Sequence, residues 1–238
     1  MTSIPLIPHE NLSILRGDMV PGGAKMPALL RYLPRVQELS GVPQFAPHFA
    51  YVGTVFGSGG WAVAESCAHL GYDCSLFLAN AKHKPDWINR LFHLRTNIYW
   101  EKPEPVDRIY ARVATQHPDL SLLPLGFDTP EFISVMADIL RESLPTPPTE
   151  IWVPALSGVL ARAACAAFPD SPVHAVSAVK HVGDIGRAIL HSAPEKFHIP
   201  ARYPPPYPAC PYSDAKLWQF VSKQAIPGAV IINVGYQL

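Results

Sequence analysis

Cysteine is scarce, with four residues in a chain of 238: Cys67, Cys74, Cys165 and Cys210. None forms a CxxC pair or stands with histidine at zinc-ligand spacing, so neither a structural zinc site nor a disulfide frame is expected. The ten histidines form no HExxH or other paired motif, and no metal site is expected from them. Net charge is missing too, because 19 basic residues balance 19 acidic ones. That argues against a protein whose main affinity comes from neutralising phosphates along a duplex. No apolar run reaches the ~20 residues of a membrane helix. The start of the chain, MTSIPLIPHENL, lacks the basic and long apolar regions of a signal peptide. The expectation is a cytoplasmic protein with buried free thiols and no membrane partner.

What the chain does have is apolar content and proline. Hydrophobic residues make up 48% and charged residues 16%, enough for a packed core and too apolar for disorder. The length allows one large domain or two lobes. The 27 prolines cluster at 103–130, 145–148 and 194–211. Proline lacks the N–H that helices and central strands need, so these clusters mark loops and boundaries. The stretch PTPP at 145–148 is the clearest hinge.

Between these breaks the pattern alternates. An extended arm with a strand at 12–16 leads to a glycine turn and a helix over about 27–39, closed by Ser40-Gly41. HFAYVGTVF (48–56) reads as a buried strand, GSGG (57–60) as a tight turn, and WAVAESCAHL as a helix that Gly71 stops. YDCSLFL (72–78) is the next strand, which makes a parallel βαβ unit. Helices over 85–92 and 104–116 flank a strand at 96–100, and Thr129-Pro130-Glu131 starts a helix over 130–143. After the hinge the pattern returns: strand 150–155, small turn 156–159, alanine-rich helix 160–168, strand 173–179. A proline-rich wrap (193–211), a short helix from Asp214 to about Lys223 and a final strand over 229–234 complete the chain. The fold class is α/β, with mainly parallel sheets and helices on both faces.

Three short stretches can carry chemistry. Arg16-Gly-Asp18-Met-Val-Pro21-Gly22-Gly23-Ala24-Lys25 places a lysine directly after a glycine turn, at the start of a helix. The turns Gly57-Ser58-Gly59-Gly60 and Ser157-Gly158-Val159 both sit between a strand and a helix. Backbone N–H groups there lack partners inside the helix, so either turn can hold a phosphate or a carboxylate. Neither is a Walker A loop. A lysine and an anion cradle on a parallel sheet are what pyridoxal phosphate (PLP) chemistry requires.

The segment Arg16-x-Asp18-x-x-Pro21-Gly22-Gly23-x-Lys25 resembles the lysine segment of PLP enzymes of fold type II. This is the tryptophan synthase β group, and within it the aminocyclopropane-carboxylate deaminase and D-cysteine desulfhydrase branch. The resemblance implies two lobes, 1–44 with 136–238 and 45–135, and a homodimer. It implies that Lys25 forms a Schiff base with the cofactor, that Gly57, Ser58, Gly59 and Gly60 hold the substrate carboxylate, and that Ser157, Gly158 and Val159 hold the cofactor phosphate. The activity implied is a lyase, deaminase or decarboxylase acting at Cα of an amino-acid-like substrate. Compact relatives of this kind occur in phages, some in routes that build amino-acid adducts on thymine, where such an enzyme would decarboxylate the adduct. The family has asparagine before the lysine, where this chain has Ala24, and a phosphate loop richer in glycine and threonine, where this chain has Leu156 and Val159. A cofactor-free relative serving as a binding or assembly protein is therefore the second reading.

Two further features are noted. Lys82, His83, Lys84, Arg90, His93 and Arg95, with Trp87, Phe92 and Trp100, form a basic and aromatic stretch of the kind that suits single-stranded nucleic acid; a solvated face over a core stripe is the simpler expectation. Lys216 is expected to be solvated or ion-paired on its short helix.

Overall fold

The computed structural model describes residues 3–40, 47–82, 84 and 87–235. Gly41, His83 and the first two positions of the helix expected over 85–92 lie outside them.

Two sheets organise the chain. The first has six strands in the order β1-β2-β10-β7-β8-β9: β1 Leu6–His9, β2 Leu12–Arg16, β7 Ile151–Pro154, β8 Val173–Ser177, β9 Ile189–Ser192 and β10 Val230–Asn233. All neighbours in it run parallel except β1 and β2. The second sheet is wholly parallel, in the order β5-β4-β3-β6: β3 His48–Thr54, β4 Asp73–Ala79, β5 Thr96–Glu101 and β6 Ser121–Leu122. The expected parallel βαβ unit is β3, α2 (Gly59–Leu70) and β4. Gly71 ends α2 with φ at 74°, the left-handed position that glycine adopts without steric cost. Strands β1, β6 and β9 are additional to those read from the sequence. All are short, and β9 carries exposed Ile189 and Leu190, so no buried run marks it.

The helices pack where small or apolar faces allow. Helix α1 (Met26–Ser40) buries Ala28, Leu29 and Leu33 completely. It lies against α2 and α5 (Pro130–Ser143). Thr129 caps α5, its Oγ1 accepting from Phe132 N at 3.1 Å. Helix α6 (Val159–Ala167) buries Ala161, Ala163 and Ala164, and these short side chains let α5 approach closely. Pro154 ends β7 beyond the two residues paired with β10, so its missing N–H costs no ladder bond on that side. The remaining helices are α3 (Trp87–Leu91), α4 (Val106–Gln116) and α7 (Trp218–Gln224), the last continuing a 3-10 turn at Asp214–Leu217. Among the described residues no helix is long and apolar enough to cross a membrane.

The structure corrects two readings. Lys216 is not solvated and forms no salt bridge among the described residues: it is 1% exposed, and its Nζ donates to the carbonyls of Lys196 (2.8 Å) and Glu195 (3.4 Å). Trp87 is 1% exposed and donates from Nε1 to Val55 O, so it belongs to the core and is closed to stacking.

Candidate active site

The lysine turn is fixed by backbone geometry. Gly22 and Gly23 have φ of 79° and 81°, and a Cβ on Gly23 would stand 2.6 Å from Val234 O. Only glycine fits there. Ala24 N donates to Val234 O at 2.7 Å, which ties the turn to the end of β10. Ala24 is fully buried, and a Cβ on Gly17 would lie 2.6 Å from the Ala24 Cβ and 2.5 Å from Asn233 O, so position 17 has no room for a side chain. Asp18 accepts two hydrogen bonds from Arg16 (2.7 and 2.6 Å) and one from Asn233 Nδ2, which buttresses the turn from below. Asp18 therefore pairs with Arg16.

Lys25 emerges from this turn into a cavity between the two sheets. The C-terminal ends of β3 and β7 reach the cavity, in line with the general rule that parallel sheets bind ligands beyond their strand ends. Its larger chamber measures about 420 Å³. That is within the range of small-molecule sites. Lys25, Gly57, Ser58, Leu156, Ser157 and Phe197 line both chambers; Gly158 lines the inner one and Gly59 the larger one. Gly60 and Val159 do not line the cavity. Both are buried in the core, Gly60 beside Leu78 and Trp87, so only their backbone N–H groups can serve a ligand.

Both small turns stand at helix N-termini with no side-chain cap: Ser58 before α2 and Gly158 before α6. Neither first turn carries an acidic residue. Their first N–H groups thus have no intrahelical acceptor and no capping side chain. Gly158 has φ at 81°, and a Cβ there would lie 1.9 Å from Asp184 O, so the turn admits only glycine.

Burial lowers the Lys25 ammonium from 10.5 to about 8, partly opposed by the nearby Asp214 carboxylate. Its Nζ lies 5.3 Å from the centre of the Phe127 ring. Phe127 itself sits in the left-handed region, with φ at 61°. A bulky side chain there is uncommon and costs free energy. The ring is locked by stacking on Tyr51 (4.9 Å) and by Phe132 (5.0 Å). Asp214 is 4% exposed, lines the inner chamber, and is pushed up to about 6 by burial. It accepts hydrogen bonds from Val234 N (2.6 Å) and Ser213 Oγ (2.7 Å). Burial likewise pushes Tyr51 up to about 12, so its phenol stays protonated. Asp214, Tyr51, Phe127 and Phe197 were not legible as site residues. Each belongs to a segment distant in sequence from Lys25, and no local motif marks any of them.

The residues present fit pyridoxal phosphate. A partly neutral amine, an uncapped helix N-terminus and a buried carboxylate match the aldehyde, phosphate and ring nitrogen of that group. Among the described residues no cluster suits a metal ion.

No protein-family model and no curated protein matches the sequence. Solved structures do match in fold. An ACC deaminase homologue superposes with a TM-score of 0.75 at 13% identity, covering 98% of this chain and 89% of that one. A fungal L-serine ammonia-lyase from Rhizomucor miehei gives 0.67 at 12% identity, with 99% and 94% covered. A pyridoxal 5'-phosphate-dependent aspartate racemase gives 0.65 at 12% identity, with 100% and 90% covered. The chain therefore has the α/β architecture of fold type II PLP enzymes.

Proposed function

We propose that this protein is a PLP-dependent enzyme acting at Cα of an amino-acid-like substrate, of lyase or decarboxylase type. The observation that carries the proposal is the half-buried Lys25 amine, facing a cavity bounded by two uncapped helix N-termini on this fold. When bound, pyridoxal phosphate supplies an aldehyde for Lys25 and an electron sink for charge developing at Cα. Ser157 and the first N–H groups of α6, from Gly158 and Val159 onward, would hold the phosphate. Asp214, the one carboxylate lining the cavity among the described residues, would face the ring nitrogen. Ser58 and the N–H groups of Gly59 and Gly60 would take the substrate carboxylate, with Gly57 giving it room to approach. Phe197, Leu156 and Tyr51 keep water from the reacting carbon. Lys25 then holds the Cα proton and returns it, a task suited to a group titrating near neutrality. We assign the lobes as 1–44 with 136–238 and 45–135, and propose a homodimer.

The test is uptake of pyridoxal phosphate by the purified protein, read as a visible absorbance band. Lys25→Ala abolishes that band. A colourless protein that takes up no added cofactor would favour the cofactor-free binding role instead.

A narrower form of the proposal is decarboxylation of an amino-acid adduct on a thymine base in DNA. It is supported by one exposed pair: Lys84 lies 4.4 Å over the ring of Trp100, which is 41% exposed, with Phe92 exposed nearby in sequence. Charge reversal at Lys82, Lys84 and Arg90 slows turnover on such a DNA substrate; unchanged turnover sinks this form alone.

A further inference from the structure

Lys216 is the most fully buried cation among the described residues, and it faces no carboxylate within salt-bridge distance. A buried ammonium is expensive unless it is hydrogen-bonded. Here its partners are two consecutive carbonyls, Glu195 and Lys196, at 3.4 and 2.8 Å. The next residue is Phe197, which lines both chambers of the cavity. The segment is secured at further points: Ala193 N donates to Ser177 O at 2.7 Å, Gln219 Nε2 donates to Glu195 Oε2 at 3.1 Å, and Ala201 N donates to Pro211 O at 2.8 Å. Phe197 packs edge-on to Phe56, with ring centres 6.4 Å apart, and Phe56 leans on Tyr212 at 4.9 Å. An exposed phenylalanine on a proline-rich strap would sample many positions; this one is fixed from behind by a buried charge.

The larger chamber beyond Lys25 and Ser58 is walled by Val52, Val106, Leu125, Val179 and Phe197. Lys25 and the exposed His181 are its only basic residues among those described, and it has no carboxylate. Lys25 is committed to the reaction, so a negatively charged substrate side chain finds a cation only at the rim, and a positively charged one finds no acid.

We propose that Phe197 is the specificity-determining residue of this site, selecting amino-acid substrates with uncharged, apolar or aromatic side chains, and that Lys216 is its positioning residue. The inference rests on the PLP reading above and deepens it. Phe197 supplies apolar surface to the substrate side chain, and removing it forfeits about tenfold or more in binding. Lys216 acts only by holding the carbonyls that place that ring.

The experiment uses protein loaded with pyridoxal phosphate and titrated with phenylalanine, leucine, aspartate and lysine, following the change in cofactor absorbance on binding. The unaltered protein binds phenylalanine and leucine at least tenfold tighter than aspartate or lysine. Phe197→Ala keeps the cofactor band and loses most of that preference. Phe197→Leu, a milder change, keeps part of it. Lys216→Met, which removes the buried charge at similar length, loses the preference as Phe197→Ala does. In cofactor-free protein it also exposes the strap over 193–211 to limited proteolysis. A cofactor band with the same preference in Phe197→Ala, or tighter binding of aspartate by the unaltered protein, overturns this inference alone. Absence of any cofactor band in the unaltered protein overturns the PLP reading, and this inference with it.

Discussion

The pH dependence of Lys25 reactivity is the sharpest consequence of the geometry. An ordinary lysine, with a value near 10.5, is only about 0.03% neutral at pH 7, whereas one near 8 is about 10% neutral, a gain of a few hundredfold in free amine. The cause is burial, so the gain belongs to the folded state. Covalent attachment of pyridoxal phosphate, trapped by borohydride and mapped by mass spectrometry, therefore occurs at Lys25 before any surface lysine. Its rate rises with pH and levels off just above pH 8. The same shift has a stability sign. An amine whose folded value is depressed costs stability while it is charged, in full below about pH 8, fading between 8 and 10.5, and nil above. The shift corresponds to about 3 kcal/mol, reduced to about 2 kcal/mol by partial exposure and by the stacking on Phe127. Lys25→Met is thus more stable than the unaltered chain at pH 7 by about 1–2 kcal/mol, and the difference closes by about pH 10.5. A labelling rate that keeps rising tenfold per pH unit through pH 9 to 10, or a Lys25→Met variant less stable at pH 7, would refute the burial argument.

Other perturbations follow from the same packing. Asp214 is raised to about 6, so its ionised form costs stability above that pH, part of it between 4 and 6, and none below. Asp214→Asn gains on the order of 2 kcal/mol relative to the unaltered chain as pH rises from 4 to 6, measured by denaturant unfolding. It also moves the Lys25 labelling plateau to lower pH, because the carboxylate favours the ammonium. Gly158→Ala places a Cβ 1.9 Å from Asp184 O at a φ of 81°. It lowers stability by about 2 kcal/mol or more and abolishes cofactor uptake; an unchanged melting temperature with normal uptake would count against the tight turn. Trp87→Phe leaves Val55 O without its donor and costs about 1–3 kcal/mol in denaturant melts, without altering Lys25 labelling.

The order of elements was legible because it rests on local physics. Glycine after WAVAESCAHL ends a helix there, the order strand, small-residue turn, helix and strand makes a parallel sheet, and Gly22-Gly23 before Lys25 makes a turn. Ser58 and Ser157 could be placed at helix starts for the same reason. The short strands β1, β6 and β9 could not be read, since each is defined by the neighbour it pairs with and not by its own composition.

What the sequence determined by itself was the α/β class, the place of Lys25 after its turn, and the two small-residue turns at helix starts that follow it. These follow from backbone conformation and periodicity, which neighbouring residues settle among themselves. Only the tertiary structure decided which side chains surround that lysine. It set Asp214, 189 positions further along (214 − 25), in the same cavity, put Phe127 beside the ammonium, and drew Lys216 out of solvent onto the carbonyls of Glu195 and Lys196. Burial, and with it the charge state of Lys25, comes from contacts made across two sheets, and such contacts leave no local mark on the chain.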